Sequence, residues 1–228
     1  MSKYVLLGDY TINVPICEKK NDLITVRVPL IGESGMLLYG INNSLTELKR
    51  QDIYPSENGI DLLCLAALAY LADTRISRLR HSQNSWTREI EIVLPVYNLE
   101  LWQSTRETFM QMLNFLTGDR WSISFANRNI ILSEDKETQA TFDVVSLFSG
   151  GMDSLIGTIN HLEQNHKIAL VSHAGDGFTK SAQQKLLMAF NDKFPNQSSY
   201  FNLWMVFKKN YLQDGGVENT TRSRSFLL

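Results

Sequence analysis

Runs of apolar and polar residues in the first part of the chain predict a strand followed by a long helix. Residues 23–31 are β-branched and apolar, which favours an extended strand. Residues 60–79 are rich in Ala and Leu and predict a helix that begins near Asn58 or Asp61. The charged residues at its end are Asp73, Arg75, Arg78 and Arg80. They are typical of a solvated helix end with local ion pairs, and binding of an anionic partner is the alternative.

The segments that follow change from a strand period to a helix period. Residues 86–96 alternate, with apolar side chains from Trp86 onward on one face and Thr and Glu on the other. Pro95 favours an edge position or the end of this strand. Apolar residues then recur at helical spacing between 102 and 116, and Gly118 is typical of a helix end.

A further alternating segment predicts the last strands of the first region. Residues 121–125 form one strand, and a turn at 127–129 leads back into a second strand over 130–132. The first region therefore mixes helices and strands, and we expect an α+β domain over residues 1–135.

A polar segment without a pattern, 133–140, indicates an interdomain linker. Beyond it, short apolar strands alternate with helices. Strands are predicted over 142–148, 168–171 and 200–207, and we expect the first of them to be buried. One helix is predicted from a Gly-rich turn after the first strand to about 164, and a second over 181–194. This alternation is typical of βαβ units, so we expect an α/β domain with a parallel sheet over residues 141–228.

Composition and charge narrow the class of protein. The 228 residues are 43% hydrophobic, which excludes a disordered chain, and a net charge of −2 removes the general electrostatic argument for nucleic-acid binding. The longest nearly charge-free apolar stretch, 62–72, is well short of the roughly 20 residues that span a bilayer. Cys17 and Cys64 are typical of free thiols. We expect a cytoplasmic protein without a membrane partner.

The Gly-rich turn of the second region carries the clearest chemistry, and it reads Ser149-Gly150-Gly151-Met152-Asp153-Ser154. Glycines let a ligand approach the main chain, a helix start offers unpaired N–H groups, and serines add hydroxyl donors, so the turn indicates a phosphate site. Asp153 either holds Mg²⁺ beside the phosphates or caps the helix, and a plain glycine turn is the structural alternative. Neither a Walker A loop nor the dinucleotide fingerprint is present.

The string SGGMDS, with the apolar strand VVSLF before it, resembles the pyrophosphate loop of the PP-loop ATP pyrophosphatases. That family includes GMP synthetase, argininosuccinate and asparagine synthetases, and 7-cyano-7-deazaguanine synthase (QueC). The resemblance implies an adenine nucleotide alpha hydrolase-like fold, ATP and Mg²⁺ as cofactors, and release of pyrophosphate. It assigns nucleotide binding to residues 149–154, catalytic roles to Asp153 and Ser154, and the Mg²⁺ to Asp153.

Within this family, LFSGGMDSL is most similar to the QueC type. Residues 221–228 resemble the place where QueC-type enzymes carry an Arg-Asn pair that opens an apolar helix, which implies a catalytic role for Arg224, with Ser225 in place of the Asn. Ser172 and His173 lie where QueC carries an Asp-Tyr-Gly-Gln-like string. We expect both to line the nucleotide site. A purely structural role is the alternative for His173. The zinc-binding Cys cluster of QueC has no counterpart, so we expect no zinc site.

Blocks of the first region resemble the N-terminal domain of QueC-like proteins from bacterial anti-phage systems, the QatC type. These blocks are DLLCLAALAYLADTRISR, WTREIEIVLPV, LELW and FLTGDRWSISF. The resemblance implies an accessory domain over 1–135 ahead of a PP-loop domain over 141–228, with other proteins of a defence operon as partners. A PP-loop domain usually needs more residues than follow position 141, so we expect a truncated member of a longer family.

These resemblances imply an ATP-dependent ligase that forms a C–N bond. ATP would adenylate a small carboxylate similar to 7-carboxy-7-deazaguanine, and ammonia or an amine would displace AMP. A non-catalytic nucleotide-binding subunit of a defence complex is the alternative. A PP-loop enzyme that modifies tRNA is the third possibility, and the charge balance and the lack of a Cys in the second region argue against it.

Overall fold

The structure, a computed structural model, describes residues 2–82, 84–173, 177–205, 207–212, 218, 222–223 and 226, and only the backbone at 177–180. These residues form eight strands and six helices, in the order β1 (Lys3–Asp9), β2 (Ile16–Lys20), β3 (Leu23–Pro29), α1 (Ile41–Lys49), α2 (Glu57–Arg75), α3 (Arg78–His81), β4 (Glu89–Val96), α4 (Leu99–Thr117), β5 (Arg120–Asn127), β6 (Val144–Leu147), α5 (Met152–Glu163), β7 (Ile168–Ser172), α6 (Gly177–Lys193) and β8 (Ser198–Asn202). None of the described helices combines the length and apolar character needed to cross a bilayer.

β1 lies at the centre of a five-stranded sheet with the order β2-β3-β1-β4-β5. The strands β3, β1, β4 and β5 run parallel, and β2 pairs antiparallel with β3 at the edge. The chain returns through α2 between β3 and β4, and through α4 between β4 and β5. The first region is therefore an α/β sheet, and the α+β prediction is wrong, because a helical crossover brings the next strand back in the same direction.

One face of this sheet carries the core of the first region. Alternate residues of its strands are buried there, among them Tyr4, Leu6, Ile24, Val26, Ile90, Ile92 and Leu94. Helix α2 packs on β1 and β4 and is itself buried on nearly all sides, since residues 64–69, 71 and 72 are each at most 3% exposed. The opposite face carries charged pairs, such as Lys3 Nζ and Glu91 Oε2 at 2.6 Å. The alternating pattern of the strands thus separates the core from solvent.

The second sheet contains three parallel strands in the order β6-β7-β8. Helix α5 follows β6 and α6 follows β7, so both are βα units of the predicted kind. Their core is formed by Phe148, Leu162, Ile168, Leu170 and Phe190. The predicted parallel sheet is therefore confirmed for the described strands.

The contacts divide the described residues into two compact units. The first unit takes its residues from within Met1–Tyr39, Pro55–Glu134 and Val206–Leu227, and the second from within Gly40–Tyr54 and Asp135–Met205. Helix α1 belongs to the second unit, where it packs on β8. Each unit thus combines distant stretches of the chain, and the division into domains at 135–141 stays a prediction.

The long helix of the first region begins earlier than the sequence predicted. The N-cap residue of α2 is Ser56, whose Oγ accepts a hydrogen bond from Gly59 N–H at 3.3 Å. Asn58 lies in the first turn of α2, as predicted, and the serine hydroxyl before it accepts one of the free N–H groups of that turn. The strand predicted over 23–31 is confirmed as β3, which ends two residues earlier, at Pro29.

The strand predicted over 130–132 is wrong. The N–H groups of Leu132 and Ser133 donate to Glu57 Oε1, each at 2.6 Å, instead of pairing with a strand. Arg128, in the turn before them, is 3% exposed and reaches Glu57 Oε2 at 2.6 Å. The buried carboxylate of Glu57 therefore accepts the N–H groups that a returning strand would use for pairing.

Two details of β4 also differ from the prediction. β4 lies between β1 and β5, so the edge position is wrong, whereas the alternative expected from Pro95 fits within one residue, because β4 ends at Val96. Pairing with β1 ends at Val93, and Pro95, which lacks an N–H, lies beyond that ladder. Trp86 precedes β4 and is 51% exposed, outside the core face.

Two strands of the second sheet differ from their predictions. β6 is an edge strand with Val145 and Leu147 69% and 48% exposed, so the expectation of a buried strand is wrong. β8 ends at Asn202 rather than at 207, because its partner β7 ends opposite, at Ser172. The first difference depends on what covers a face of the sheet, and the second on where the paired strand ends.

Candidate functional site

The turn between β6 and α5 contains the six residues of the SGGMDS motif, here called the SGGMDS loop. Phe148 is fully buried before it, and its N–H donates to the carbonyl of Val171 in β7 at 2.7 Å. Gly150 has a φ of 82°, in the left-handed region that favours glycine. Gly151 is the N-cap residue of α5 and has an extended backbone. The chain therefore passes from strand to helix over two glycines, and most of the loop stays exposed.

The two serines of the loop connect its ends. Ser149 Oγ accepts from Gly151 N–H and lies 3.2 Å from Ser154 Oγ. Ser154 Oγ in turn donates to the carbonyl of Gly151 at 2.9 Å. These bonds fix a loop whose side chains offer hydroxyl groups beside the N-terminus of α5, where the first N–H groups have no partner within the helix.

Asp153 lies in the first turn of α5, and its side chain is exposed. The N-cap residue is Gly151, and no side chain caps this helix, so the alternative in which Asp153 is the cap is wrong. A carboxylate in the first turn is favoured by the helix dipole. Because Mg²⁺ keeps several waters and binds through one or two carboxylates plus phosphates, the exposed Asp153 fits a Mg·nucleotide beside the loop.

A buried glutamine supports the loop from the inside. Gln183 of α6 is 0% exposed, and its Nε2 donates to the carbonyls of Phe148 and Ser149 at 3.3 and 3.2 Å. A Cβ at Gly150 would lie 3.2 Å from Gln183 Cγ, so the glycine also permits this close approach. The main chain of the loop is thus held by a side chain of the next βα unit.

Gln183 is itself held by Tyr200 and Ser172. The Tyr200 hydroxyl donates to Gln183 Oε1 at 3.0 Å, and Ser172 Oγ donates to the Tyr200 hydroxyl at 2.6 Å. Burial raises the pKa of Tyr200 above its ordinary value, although the bond from Ser172 acts in the other direction. The hydroxyl therefore stays protonated at neutral pH and remains a donor.

The other residues predicted for the site have different surroundings. Ser172 is fully buried, and its hydroxyl is directed to Tyr200. His173 follows the C-terminal end of β7, as the loop follows the C-terminal end of β6, and it is 7% exposed. Met152 of the loop is 69% exposed. Arg224 and Ser225 lie outside the described residues.

The prediction of a solvated end of α2 with local ion pairs is confirmed for the exposed Arg80, but the local pair of Asp73 and Arg78 is buried. Asp73 is 0% exposed and Arg78 6%, and Arg78 pairs with Asp119 at 2.7 Å. Arg88, also 0% exposed, binds both carboxylates, Asp73 at 2.8 Å and Asp119 at 2.6 Å. Because two arginines and two aspartates neutralise one another here, this cluster serves the fold of the first unit.

Neither the cysteines nor the described metal-ligating residues form a second site. Burial raises the pKa of the Cys64 thiol to about 12, and Tyr10 donates a hydrogen bond to its sulfur at 3.7 Å. Cys17 is half-buried in β2. Across the described part of the chain, no three His, Cys, Asp or Glu side chains are arranged to hold a metal ion.

Comparisons with family models, with curated proteins and with solved structures found no match to this chain. The geometry of the loop is therefore what indicates its chemistry. An exposed turn with a left-handed glycine, two hydroxyls and a helix N-terminus can bind an anion.

Gln183 and Tyr200 were not predicted from the sequence, although a signal for Gln183 was present. Leu186, Leu187 and Phe190 mark the apolar face of α6, and position 183 falls on the same face at helical spacing. A polar residue in an apolar stripe needs a buried hydrogen-bond partner. Tyr200 had no comparable signal, because a tyrosine is common in a strand.

Proposed function

We propose that the SGGMDS loop binds the phosphates of Mg·ATP and that the protein activates a small carboxylate by adenylation. The observation that carries this proposal is the loop geometry: Gly150 is left-handed, Gly151 begins α5, and Ser149 and Ser154 present hydroxyls beside that helix start. N–H donors at a helix N-terminus match the charge and the hydrogen-bonding needs of a pyrophosphate group. Asp153 would hold the Mg²⁺ that neutralises part of that charge.

The proposed reaction has two steps. An oxygen of the substrate carboxylate attacks the α-phosphorus of ATP, the bond from that phosphorus to the bridging oxygen breaks, and pyrophosphate leaves with the bond electrons. Ammonia or an amine then attacks the acyl carbon, loses a proton, and displaces AMP, so that a C–N bond forms. The loop residues hold the pyrophosphate in place and stabilise its charge as it leaves.

The resemblance to QueC-like proteins supports the choice of substrate. A carboxylate similar to 7-carboxy-7-deazaguanine is the acid we propose, and ammonia is the simplest nucleophile. The blocks of the first region that resemble QatC-type proteins support a role in an anti-phage system, with other proteins of that system as partners and the cytoplasm as its location.

The direct test measures pyrophosphate release from Mg·ATP with 7-carboxy-7-deazaguanine and ammonium ions. The variant is Asp153→Asn, and the matched control is Asp192→Asn, an exposed aspartate of α6. We expect the rate of release to fall at least tenfold for Asp153→Asn and to stay at the wild-type value for Asp192→Asn. The reason is that the amide is a neutral and weaker ligand for Mg²⁺ than the carboxylate.

Three outcomes separate the possibilities. Pyrophosphate release that depends on Asp153 supports the enzyme. Tight binding of Mg·ATP without release of pyrophosphate favours the non-catalytic nucleotide-binding subunit. No binding of Mg·ATP by the wild-type protein overturns the nucleotide site altogether.

A further inference from the structure

The buried amide of Gln183 contacts two peptide groups at the start of the SGGMDS loop. Its Nε2 holds two consecutive carbonyls, those of Phe148 and Ser149, at 3.3 and 3.2 Å. Both carbonyls therefore point inward, toward α6. No side chain within the loop itself holds either carbonyl among the described hydrogen bonds, so their direction depends on the other βα unit.

The direction of a carbonyl also fixes the direction of the next N–H. In a trans peptide the C=O and the N–H point to opposite sides, and the described backbone contains no cis peptide bond. With the carbonyls of Phe148 and Ser149 turned inward, the N–H groups of Ser149 and Gly150 point away from Gln183. Two successive N–H groups that lead into a left-handed residue, here Gly150, can form a concave nest that binds anions.

We infer that Gln183 is a positioning residue for the pyrophosphate site, and that Tyr200 and Ser172 keep its amide in the working orientation. An amide has two different ends, and only Nε2 can donate to carbonyls. The Tyr200 hydroxyl donates to Oε1 at 3.0 Å, which leaves Nε2 facing the loop. Ser172 donates to the same hydroxyl at 2.6 Å, so its proton is directed to Gln183. This inference rests on the proposed function and adds the residues that shape its phosphate site.

The inference assigns a different role to Ser172 from the one expected from the sequence. Its hydroxyl is buried in the chain of hydrogen bonds that runs from β7 through Tyr200 and Gln183 to the loop. Ser172 therefore acts on the bound anion through Tyr200 and Gln183.

The experiment compares two adjacent glutamines. Gln183→Leu removes the donor beneath the loop, and Gln184→Leu makes the same change at an exposed position of α6. Isothermal titration of each full-length variant with Mg·pyrophosphate and with Mg·ATP gives both Kd and stoichiometry. We expect Kd to rise at least tenfold for Gln183→Leu with both ligands and to stay within twofold of wild type for Gln184→Leu.

A second variant tests the orientation of the amide without changing Gln183. Tyr200→Phe keeps the ring and removes the hydroxyl that fixes Oε1, and we expect Kd for Mg·pyrophosphate to rise about threefold. A merely structural role would lower the fraction of folded protein and hence the stoichiometry, with Kd unchanged. Titration therefore separates positioning from folding even where a variant is less stable.

The outcomes also separate this inference from the proposed function. If the wild-type protein binds Mg·pyrophosphate and Gln183→Leu binds it with the same Kd, the positioning role is overturned and the proposed function stands. If the wild-type protein binds neither ligand, both fail together.

Discussion

Gly150 shows how a single residue determines whether the SGGMDS loop can form. Its φ of 82° costs an L-residue with a side chain about 1–2 kcal/mol, and its Cβ would lie 3.2 Å from Gln183 Cγ. Gly157 of α5 provides the contrast, because a Cβ there would meet nothing within 4 Å. The same residue type is therefore required at one position of this βα unit and replaceable at the other.

We expect Gly150→Ala to weaken the binding of Mg·ATP by about fivefold or more, which corresponds to roughly 1 kcal/mol of distortion. Gly157→Ala, the matched control, is expected to leave Kd unchanged and to stabilise the protein by about 0.5–1 kcal/mol, since alanine favours a helix interior. Calorimetric titration and urea unfolding measure the two quantities. Equal Kd values for both variants would show that the left-handed turn is not needed.

At the scale of elements, α2 is held at both ends by buried ion clusters. Near its N-terminus Glu57 and Asp61 bind Arg128, which follows β5. At its C-terminus Asp73 binds Arg88, which precedes β4. Apolar contacts hold the middle of the helix, whereas arginines from the segments that follow β5 and precede β4 pair with its two ends.

We expect Arg88→Met to lower the free energy of unfolding by about 3–5 kcal/mol, because it leaves the buried carboxylates Asp73 and Asp119 without one of their partners. The control Arg106→Met changes an exposed arginine of α4 and is expected to stay within about 0.5 kcal/mol of wild type. Urea unfolding followed by circular dichroism gives both values. A change below about 1 kcal/mol for Arg88→Met would contradict a structural role for the cluster.

At the scale of the whole molecule, several buried or half-buried carboxylates make stability depend on pH. Burial acts to raise the pKa of Asp9, Glu57 and Asp73, but hydrogen bonds from backbone N–H groups and arginines lower each below its ordinary value. For Asp61 the effect of burial is larger, and its pKa is raised. A carboxylate with a lowered pKa stabilises the fold above its unfolded pKa, and that contribution is lost as pH falls through the folded pKa.

We expect the free energy of unfolding to decrease as pH falls below about 5, where the carboxylates of the unfolded chain begin to bind protons before those of the folded protein. The raised pKa of Asp61 offsets part of this decrease, because protonation of that group in the folded state is favourable. Urea unfolding at pH 7, 5, 4 and 3 provides the curve. Stability that rises steadily down to pH 3 would contradict the lowered pKa values.

Much of the fold could be predicted from the sequence where local patterns decide it. The strand at 23–31, the helix that ends at Gly118 and the strand–turn–helix around SGGMDS are confirmed, since each depends on residues close to one another along the chain. The prediction at 130–132 failed because Glu57, far away in sequence, binds the N–H groups of that segment. β1 was missed, although it is the central strand of its sheet.

For the candidate site, too, one part follows from local sequence and another part from tertiary packing. The sequence alone determined the loop, because two glycines between a strand and a helix, with serines on both sides, dictate a tight turn with free N–H groups. Only the tertiary structure decided which way its peptide groups face, since Gln183, Tyr200 and Ser172 reach the loop through hydrogen bonds between residues 17 to 35 positions apart. Such bonds depend on how α6 and β8 pack beside β6 and β7, and no local pattern encodes that packing.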